Sequence, residues 1–257
     1  MKNNTFKFAE WENESKTIRA SLYITEGKEA PWIIMCPGFT SNRIGPKYFY
    51  TTMARHFTSN GISVVSFDFA GTGESDGLFS DITISSMCSD LISAYHFVKS
   101  NYTLSKLLVL GHSLGGTIAA LTLKDITIDG LILISPLADT KKHSEQHEYI
   151  VTNGLNEEGY YEFGPHEMKI DFLNEFKTCD PVNAISKNFK GKIILLQGDN
   201  DDQITPEESF VFLNRAHDCD IDIMYHTVKN GDHRFSNVPS RKFIQQTIVN
   251  WIKEKIL

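Results

Sequence analysis

The feature that most constrains the fold is a strand-like apolar run that ends in a glycine-flanked serine and continues as a helix. Residues 107–110 read LLVL, residues 111–115 read GHSLG, and residues 116–123 read GTIAALTL. A chain can change from strand to helix this abruptly only through a tight turn, which small flanking residues permit. The turn leaves Ser113 at a helix N-terminus, where N–H groups favour a developing anion. The pattern therefore favours a nucleophilic serine over a glycine-rich helix cap.

Short apolar runs alternate with helical patterns along most of the chain. The predicted strands are Thr17–Ile24, Trp32–Cys36, Ile62–Phe67, Lys106–Leu110, Gly130–Ile134, Lys192–Gln197 and Ile221–Val228. The predicted helices are Pro46–Asn60, Ile84–Asn101, Leu114–Lys124, Pro206–His217 and Pro239–Lys255. From the second strand onward most runs are continuously apolar, which is typical of strands covered on both faces. We predict an α/β fold with a mainly parallel sheet flanked by helices, and we place Thr17–Ile24 at an antiparallel edge.

One interval between predicted strands is too long for a simple connection with one helix. It runs from Pro136 to Gly191 and carries many charges with aromatic residues spaced through it. We interpret residues 136–191 as a lid or cap inserted into a core of residues 1–135 and 192–257. Within it, Tyr160 and Tyr161 are the predicted walls of a substrate pocket, and packing inside the lid is their alternative role.

A serine is a poor nucleophile without a base that accepts its proton. His233 stands in a loop, NGDHRFS, directly after the last predicted strand. Loops at the carboxyl ends of parallel strands are where such sheets gather their chemistry, so His233 is the predicted base. His112 adjoins the serine and is interpreted as structural, because adjacent side chains on such a turn point apart. Three histidines of the insertion could line a pocket: His143, His147 and His166.

The base in turn needs an acidic partner, and GDNDDQITPEE follows the predicted strand Lys192–Gln197. Asp199 is close to the strand end and is expected to brace the loop by accepting backbone N–H bonds. Asp201 lies further out, where it could reach His233, and Asp202 is the less favoured neighbour. With Asp201 the chain order is Ser…Asp…His, while Asp199 and Asp202 stay open as alternatives.

Acyl transfer also requires N–H donors for the oxygen anion that forms at the carbonyl. The serine turn supplies the N–H of Leu114, the residue after the nucleophile. The second donor is expected after the strand Trp32–Cys36, where the sequence reads PGFTSN. Phe39 is the predicted donor because Gly38 frees the backbone to turn its amide inward. Losing one such donor costs on the order of a hundred- to a thousand-fold in turnover.

Five segments together carry a resemblance to a known family: CPGFTSN, DFAGTGESDG, GHSLGG, GDNDDQITP and GDHRF, in this order. With them the chain resembles the serine α/β-hydrolase superfamily along nearly its whole length. The resemblance supports Asp201 as the acid, through the pattern G-x-x-D-x-x-x-x-P from Gly198 to Pro206. It also implies that Asp68–Ser75 is a structural turn. This segment does not form a dinucleotide-binding motif, because the third glycine that such a motif needs is displaced to Gly77.

Within the superfamily, the oxyanion loop and the tyrosine-bearing insertion are similar to bacterial feruloyl or cinnamoyl esterases, although Pro37 replaces the usual histidine before the glycine. The implied activity is a serine carboxylic ester hydrolase that acts through an acyl-enzyme on small or hydroxycinnamoyl-like esters. The alternative enzyme is an acyl thioesterase or acyltransferase with the same triad. An inactive hydrolase fold serving as a small-molecule receptor would usually lack a triad member, and none is missing here.

Composition bounds the partners and the location. A net charge of -7 without a Lys/Arg cluster argues against nucleic acid. The sequence has no apolar run of roughly 18 residues, as a membrane span needs, and no signal-peptide core. Four scattered cysteines predict buried thiols rather than disulfides or zinc ligands. We expect a cytoplasmic enzyme for a small-molecule ester, with no cofactor or metal; homodimerisation stays open.

Overall fold

The elements alternate along the chain as the apolar pattern predicts. The structure is a computed structural model that describes residues 4–27, 29–151, 154–157 and 159–257, without the side chains of residues 147–151. The strands are β1 (Thr5–Asn13), β2 (Lys16–Ile24), β3 (Trp32–Cys36), β4 (Ser63–Phe67), β5 (Leu107–His112), β6 (Gly130–Ile134), β7 (Tyr160–Phe163), β8 (His166–Lys169), β9 (Lys192–Gly198) and β10 (Ile223–Val228). The α-helices are α1 (Phe49–Ser59), α2 (Ile84–Asn101), α3 (Leu114–Leu121), α4 (Thr140–Val151), α5 (Ile170–Phe176), α6 (Pro181–Ala184), α7 (Pro206–Asp218) and α8 (Val238–Trp251).

The large sheet has 8 strands in the order β1-β2-β4-β3-β5-β6-β9-β10. The pairs β1–β2 and β2–β4 are antiparallel, and each further pair of neighbours is parallel. The predicted mainly parallel sheet is confirmed. Because β5, β6, β9 and β10 lie side by side and point the same way, the loops that follow them meet at one edge of the sheet.

Two sequence predictions about local structure are wrong. The strand Thr17–Ile24 is antiparallel as predicted, but it is not the edge, because β1 lies outside it. All side chains from Thr5 to Phe8 are exposed, so the apolar alternation that reveals a half-buried strand is weak in β1. The helix predicted from Pro46 begins at Phe49 instead, since Lys47 and Tyr48 have positive φ angles of 50° and 61°.

The side chains of β5 show how both faces of the sheet are covered. Leu107 and Val109 belong to the apolar cluster beneath α2 and α3, whereas Leu108 and Leu110 pack with α1 and α8. Side chains alternate between the two faces of a strand, so every residue of β5 is buried. Each such buried aliphatic side chain contributes roughly 1.5–3 kcal/mol. The turn after β5 is therefore held on a well-packed strand.

Residues 136–191 contribute α4, α5, α6 and the hairpin β7–β8. Their apolar side chains join the same buried cluster as α2 and α3; they include Tyr161, Met168, Phe172, Leu173, Phe176 and Ile185. At the surface, Lys169 Nζ lies 2.5 Å from Asp81 Oδ1, which ties β8 to the loop before α2. The division into a core and a lid remains a prediction.

The segment Asp68–Ser75 forms a turn that is built around a buried carboxylate. Asp68 is fully buried and accepts the backbone N–H of Arg43 at 2.6 Å and that of Glu74 at 3.0 Å. The Arg43 guanidinium also pairs with Asp68. Gly73 has a φ of 54°, and a Cβ there would lie 2.3 Å from the Asp68 carboxyl carbon. Because Arg43 lies in the loop after β3 that also contains Phe39, this turn anchors the predicted oxyanion loop.

Candidate active site

Ser113 lies on a strained turn between β5 and α3. Its φ of 54° and ψ of -127° are unusual for a residue with a side chain, and such a conformation costs of order 1–3 kcal/mol. A Cβ at Gly111 would lie 2.3 Å from the Gly115 oxygen, and a Cβ at Gly115 would lie 2.3 Å from the Cys36 oxygen. Both glycines of the G-x-S-x-G pattern are therefore required because backbone atoms approach them closely.

The structure brings the three predicted side chains into one hydrogen-bonded series. His233 Nε2 lies 3.0 Å from Ser113 Oγ, and His233 Nδ1 lies 2.9 Å from Asp201 Oδ2. Ser113 follows β5, Asp201 follows β9, and His233 follows β10. An ionised carboxylate only accepts hydrogen bonds, so the His233 proton sits on Nδ1 and Nε2 is left to accept the serine proton. This is the geometry that a general base and its orienting group require.

The Asp201 carboxylate is buried and well supplied with donors. Its Oδ1 accepts the backbone N–H groups of Gln203 at 3.1 Å and Ile204 at 2.9 Å. Burial raises the pKa of Asp201, but the hydrogen bond and charge of His233, with the Ile204 N–H, outweigh burial and leave that pKa below its usual value. Asp201 is therefore ionised at neutral pH and can stabilise a positive charge on His233.

The loop after β9 is braced by residues other than the one predicted. The side chains of Asp199 and Asp202 are exposed, and the N–H groups of Gln203 and Ile204 are bonded to Asp201, so the expected bracing by Asp199 is wrong. Asp201 itself accepts the loop N–H groups, and the buried Gln197 donates through Nε2 to the Ile204 oxygen at 2.9 Å and to Asp201 Oδ2 at 3.3 Å. Sequence reasoning missed Gln197; a polar residue that ends an apolar strand run is the only signal for it.

The two predicted oxyanion donors lie beside the serine. Phe39 and Leu114 line the same cavity as Ser113 and His233. Leu114 is the first residue of α3, where a backbone N–H has no acceptor within the helix. Phe39 lies in a tight turn closed by the Ser41 N–H on the Gly38 oxygen at 3.1 Å. The two amides are thus placed at the site, and their role in holding an oxyanion remains a prediction.

The cavity at Ser113 has a volume of about 590 Å³. Its aromatic lining consists of Phe39, Phe163, Phe172 and Phe176. Phe39 stacks on Phe172 with ring centroids 5.0 Å apart and approaches Phe163 at 5.2 Å.

The described lining residues include neither of the two predicted tyrosines. Tyr161 is only 2% exposed, and its hydroxyl lies 3.5 Å from Met168 Sδ inside the apolar cluster. The Tyr160 ring lies 5.9 Å from Lys169 Nζ on the hairpin β7–β8. Phenylalanines take the place predicted for the tyrosines.

Among the described side chains of residues 136–191, His143 is the histidine that reaches the cavity. His143 Nε2 lies 2.7 Å from Glu208 Oε1, and the other Glu208 oxygen accepts the N–H groups of Ala138 and Asp139 at 2.9 and 3.1 Å. Burial raises the pKa of Glu208, but His143 and the two N–H groups lower it by more, so this pKa lies below its usual value. This pair joins α7 to the start of α4, and sequence reasoning missed Glu208.

The other two histidines of residues 136–191 have different positions. The ring of His166 stacks on Phe79 with centroids 4.1 Å apart. The side chain of His147 lies outside the described residues.

A larger and more open groove of about 990 Å³ lies between the end of β1 and α2, but its lining includes none of Ser113, Asp201 and His233. We take the smaller cavity as the candidate active site, because of these two it is the one in which an imidazole lies next to a serine hydroxyl. Within the described ranges no group of three or more histidine, cysteine or acidic side chains is suited to holding a metal ion. In the same ranges no helix has the length and apolar character of a membrane span.

Comparison with known proteins gives likenesses over most of the chain. A family model described as serine aminopeptidase, S33, matches residues 32–156, a range that contains Ser113 but ends before Asp201 and His233. The mitochondrial palmitoyl-protein thioesterase ABHD10 of Mus musculus is 25% identical over 237 residues, which span 86% of this chain and 75% of that protein. A monoglyceride lipase homolog of monkeypox virus is 24% identical over 238 residues, with 80% of this chain and 85% of that one covered.

Among solved structures, Est1E from Butyrivibrio proteoclasticus with bound ferulic acid superposes with a TM-score of 0.83. The superposition covers 96% of this chain and 99% of Est1E at 18% identity, so it bears on the fold. The chain thus has the α/β-hydrolase fold, with a serine turn between β5 and α3, and the proteins to which it is similar are hydrolases of the α/β-hydrolase superfamily.

Proposed function

We propose that the protein is a carboxylic ester hydrolase that acts through an acyl-enzyme on Ser113. The observation that carries the proposal is the continuous series Ser113–His233–Asp201, with heavy-atom distances of 3.0 and 2.9 Å, at the wall of a cavity. A serine hydroxyl 3.0 Å from an imidazole acceptor is within reach for proton transfer as it attacks. The same geometry has no evident use in a protein that only binds a ligand.

The proposed reaction has two halves. His233 Nε2 takes the Ser113 proton while Oγ forms a bond to the ester carbonyl carbon, and the Asp201 carboxylate stabilises the imidazolium. The carbonyl oxygen becomes an anion between the N–H groups of Phe39 and Leu114. The carbon–oxygen bond to the alcohol then breaks, and His233 returns the proton to the leaving alcohol. Water repeats these steps on the acyl-enzyme and releases the acid.

The lining of the cavity supports small or aromatic acyl groups as substrates. Phe39, Phe163, Phe172 and Phe176 offer flat apolar faces, which pack well against an aromatic ring such as that of a hydroxycinnamoyl group. Three of these four residues belong to residues 136–191, so this segment would act as the proposed lid and would set the acyl preference. Est1E, which is similar in fold, is described with bound ferulic acid, and this likeness is consistent with the choice.

Labelling with a fluorophosphonate tests the nucleophile. We expect one adduct per folded chain, located at Ser113 by peptide mass spectrometry, and no adduct in Ser113→Ala or in urea-unfolded protein. The unfolded control matters because only a serine next to His233 reacts quickly. A folded chain that stays unlabelled at Ser113 would exclude every serine-enzyme mechanism.

The alternative substrate class is a thioester. The likeness to a palmitoyl-protein thioesterase favours it, and the triad can cleave either bond. Methyl ferulate, p-nitrophenyl esters of graded chain length and palmitoyl-CoA should be compared by kcat/KM. Ester hydrolysis with a preference for short or aromatic acyl groups supports the proposal, whereas a preference for palmitoyl-CoA over all esters would replace it with the thioesterase.

A further inference from the structure

Beneath Ser113 a second hydrogen-bonded series connects the oxyanion loop with the loop of the base. The backbone N–H of Gly38 lies 3.1 Å from Tyr50 Oη, and Tyr50 Oη lies 3.0 Å from His112 Nδ1. His112 Nε2 in turn lies 2.9 Å from the backbone oxygen of His233. Gly38 precedes the predicted donor Phe39, so the series begins next to one functional group and ends on another.

The direction of each hydrogen bond follows from the groups at the two ends. A backbone oxygen can only accept, so the His112 proton sits on Nε2 and points at His233. His112 Nδ1 is then an acceptor, and the Tyr50 hydroxyl must donate to it. The Tyr50 oxygen is left free to accept the Gly38 N–H. All three bonds are satisfied at once with neutral side chains, and for a neutral His112 no other arrangement of protons satisfies them.

Burial favours those neutral side chains. Tyr50 is 1% exposed and His112 is 5% exposed, beneath Phe49 and Phe235. Burial, and then the charge of nearby His233, lower the pKa of His112 to about 3, while burial raises that of Tyr50. His112 therefore stays uncharged when His233 becomes an imidazolium 5.1 Å away between ring centroids, and it adds no repulsion to the charged intermediate.

The two ends of the series lie on loops that follow strands far apart in the sheet. The oxyanion loop follows β3, and the His233 loop follows β10, which is four strands away in the sheet. The Ser113 turn lies between them, with its Cβ 3.3 Å from the position of a Cβ on Gly38. A displacement of about 1 Å at such a site can reduce the rate on the order of a hundred-fold.

We propose that Tyr50 and His112 are positioning residues for the reaction, which hold the Phe39 amide and the His233 ring in register with Ser113. In this role the two side chains act through the loops that they hold and not on the reacting atoms. This inference rests on the proposed function, since it assigns to the two residues a part in the same acyl transfer.

The test compares Tyr50→Phe, His112→Ala and His112→Gln with the unaltered chain. The readouts are kcat and KM for p-nitrophenyl acetate and the rate of fluorophosphonate labelling. We expect Tyr50→Phe and His112→Ala to lower kcat and the labelling rate on the order of 10- to 100-fold, with KM changed by less than about twofold. His112→Gln should recover at least about fivefold over His112→Ala, because its amide can still donate to the His233 oxygen.

A matched control separates positioning from loss of stability. Phe57 is fully buried two turns further along α1 and takes no part in the hydrogen-bonded series, so Phe57→Leu should lower the urea midpoint without lowering kcat in the folded protein. A Tyr50→Phe kcat within twofold of the unaltered chain would overturn the inference. If Tyr50→Phe does not fold, equal kcat values for the glutamine and alanine variants at position 112 overturn it.

The labelling result also separates this inference from the proposed function. If Ser113 of the unaltered chain is not labelled, both fail together. If the unaltered chain is labelled and hydrolyses p-nitrophenyl acetate while the Tyr50 and His112 variants react at the same rate, only the positioning role fails.

Discussion

Ser113 can hold its strained backbone because the glycines around it carry no side chains. At Gly115 the missing Cβ leaves room for the end of β3, whose Cys36 and Pro37 oxygens would lie 2.3 and 2.5 Å from it. A helix otherwise prefers alanine to glycine by roughly 1 kcal/mol. The close approach of backbone to backbone therefore outweighs a helix preference that acts in the opposite direction.

The first prediction is that Gly115→Ala destabilises the protein and removes activity. Neither the Cys36 nor the Pro37 oxygen can rotate away, so the added methyl group must displace β3 or α3. Overpacking of this kind typically costs about 1–3 kcal/mol, and occasionally more. Urea unfolding should show a lower midpoint, and fluorophosphonate labelling of Ser113 in the folded fraction should be slower by at least about tenfold.

Gly116→Ala is the matched control on the next residue of α3. Its Cβ would lie 3.0 Å from the Pro136 Cβ, 3.3 Å from the Pro136 Cα and 3.4 Å from a Leu133 methyl carbon, so each of these neighbours is farther away than the two oxygens that a Cβ at Gly115 would meet. We expect a smaller loss of stability and normal labelling. Equal effects of the two substitutions would contradict the steric explanation of the second glycine in G-x-S-x-G.

The second prediction concerns the three aspartates after β9. Asp201→Asn keeps the size of the side chain but removes the charge that orients His233, so kcat should fall by on the order of 10³–10⁴. Asp199→Asn and Asp202→Asn change exposed side chains and should leave kcat within about twofold. Steady-state hydrolysis of p-nitrophenyl acetate by the three variants measures this. Full activity of Asp201→Asn would mean that another group orients the base.

The residues that sequence reasoning missed share a physical cause. Ser113, Asp201 and His233 are predictable because each follows a strand with strong apolar patterning and carries a distinctive neighbourhood. Gln197 and Glu208 act through contacts between separate elements, which no local pattern encodes. The prediction that tyrosines line the cavity was wrong for a related reason. The hairpin β7–β8 places Tyr161 in the apolar cluster and Phe163 at the cavity.

At the scale of elements, a buried carboxylate of α2 connects this helix to the end of β1 and to the chain after β4. Asp90 is 3% exposed and accepts the Asn13 amide at the end of β1 and the Ala70 N–H after β4, each at 2.8 Å. Burial raises the pKa of Asp90 from 3.8 to about 6, although the hydrogen bonds from these two donors lower it. The folded protein thus holds this proton more tightly than the unfolded chain does.

The third prediction follows from the sign of that shift. A carboxyl whose pKa is raised on folding favours the folded state most below the unfolded value of 3.8, and this contribution is lost as pH rises through about 6. Asp90→Asn does not titrate, so its free energy of unfolding relative to the unaltered chain should rise by about 2 kcal/mol between pH 4 and pH 7. Urea unfolding at half-unit pH intervals measures the difference, in which other carboxylates cancel. Parallel curves for the two proteins would contradict the raised pKa.

Among the elements, β1 shows the limit of apolar patterning. Its register with β2 is continuous from Thr5–Ile24 to Asn13–Lys16, yet its side chains are mostly exposed. A strand that pairs through backbone hydrogen bonds and buries little leaves a weak trace in the sequence. The central strands bury every side chain and were predictable for the opposite reason.

For the whole molecule, the open question is whether residues 136–191 form a separate unit. Apolar side chains of this segment lie in one cluster with the sheet face beneath α2 and α3. Cys219, at the end of α7, donates through Sγ to the Ile185 oxygen of the segment at 3.6 Å. A segment whose apolar side chains pack in the same cluster as those of the sheet has no separate hydrophobic core that would stay folded if the segment detached. We therefore expect it to unfold with the sheet although it contributes most of the aromatic wall of the cavity.

The fourth prediction uses two buried thiols to test this. In a background with Cys88→Ser and Cys179→Ser, Cys36 reports on β3 and Cys219 reports on the contact with Ile185; they are 0% and 6% exposed. Burial raises the pKa of Cys36 well above its usual value, so absolute rates differ and the urea dependence of iodoacetamide labelling is the quantity to compare. We expect both thiols to become reactive over the same urea range, because one buried cluster opens cooperatively. If Cys219 is instead labelled at urea concentrations where Cys36 stays protected, then residues 136–191 and their contact with α7 open before the sheet, as expected of a mobile lid.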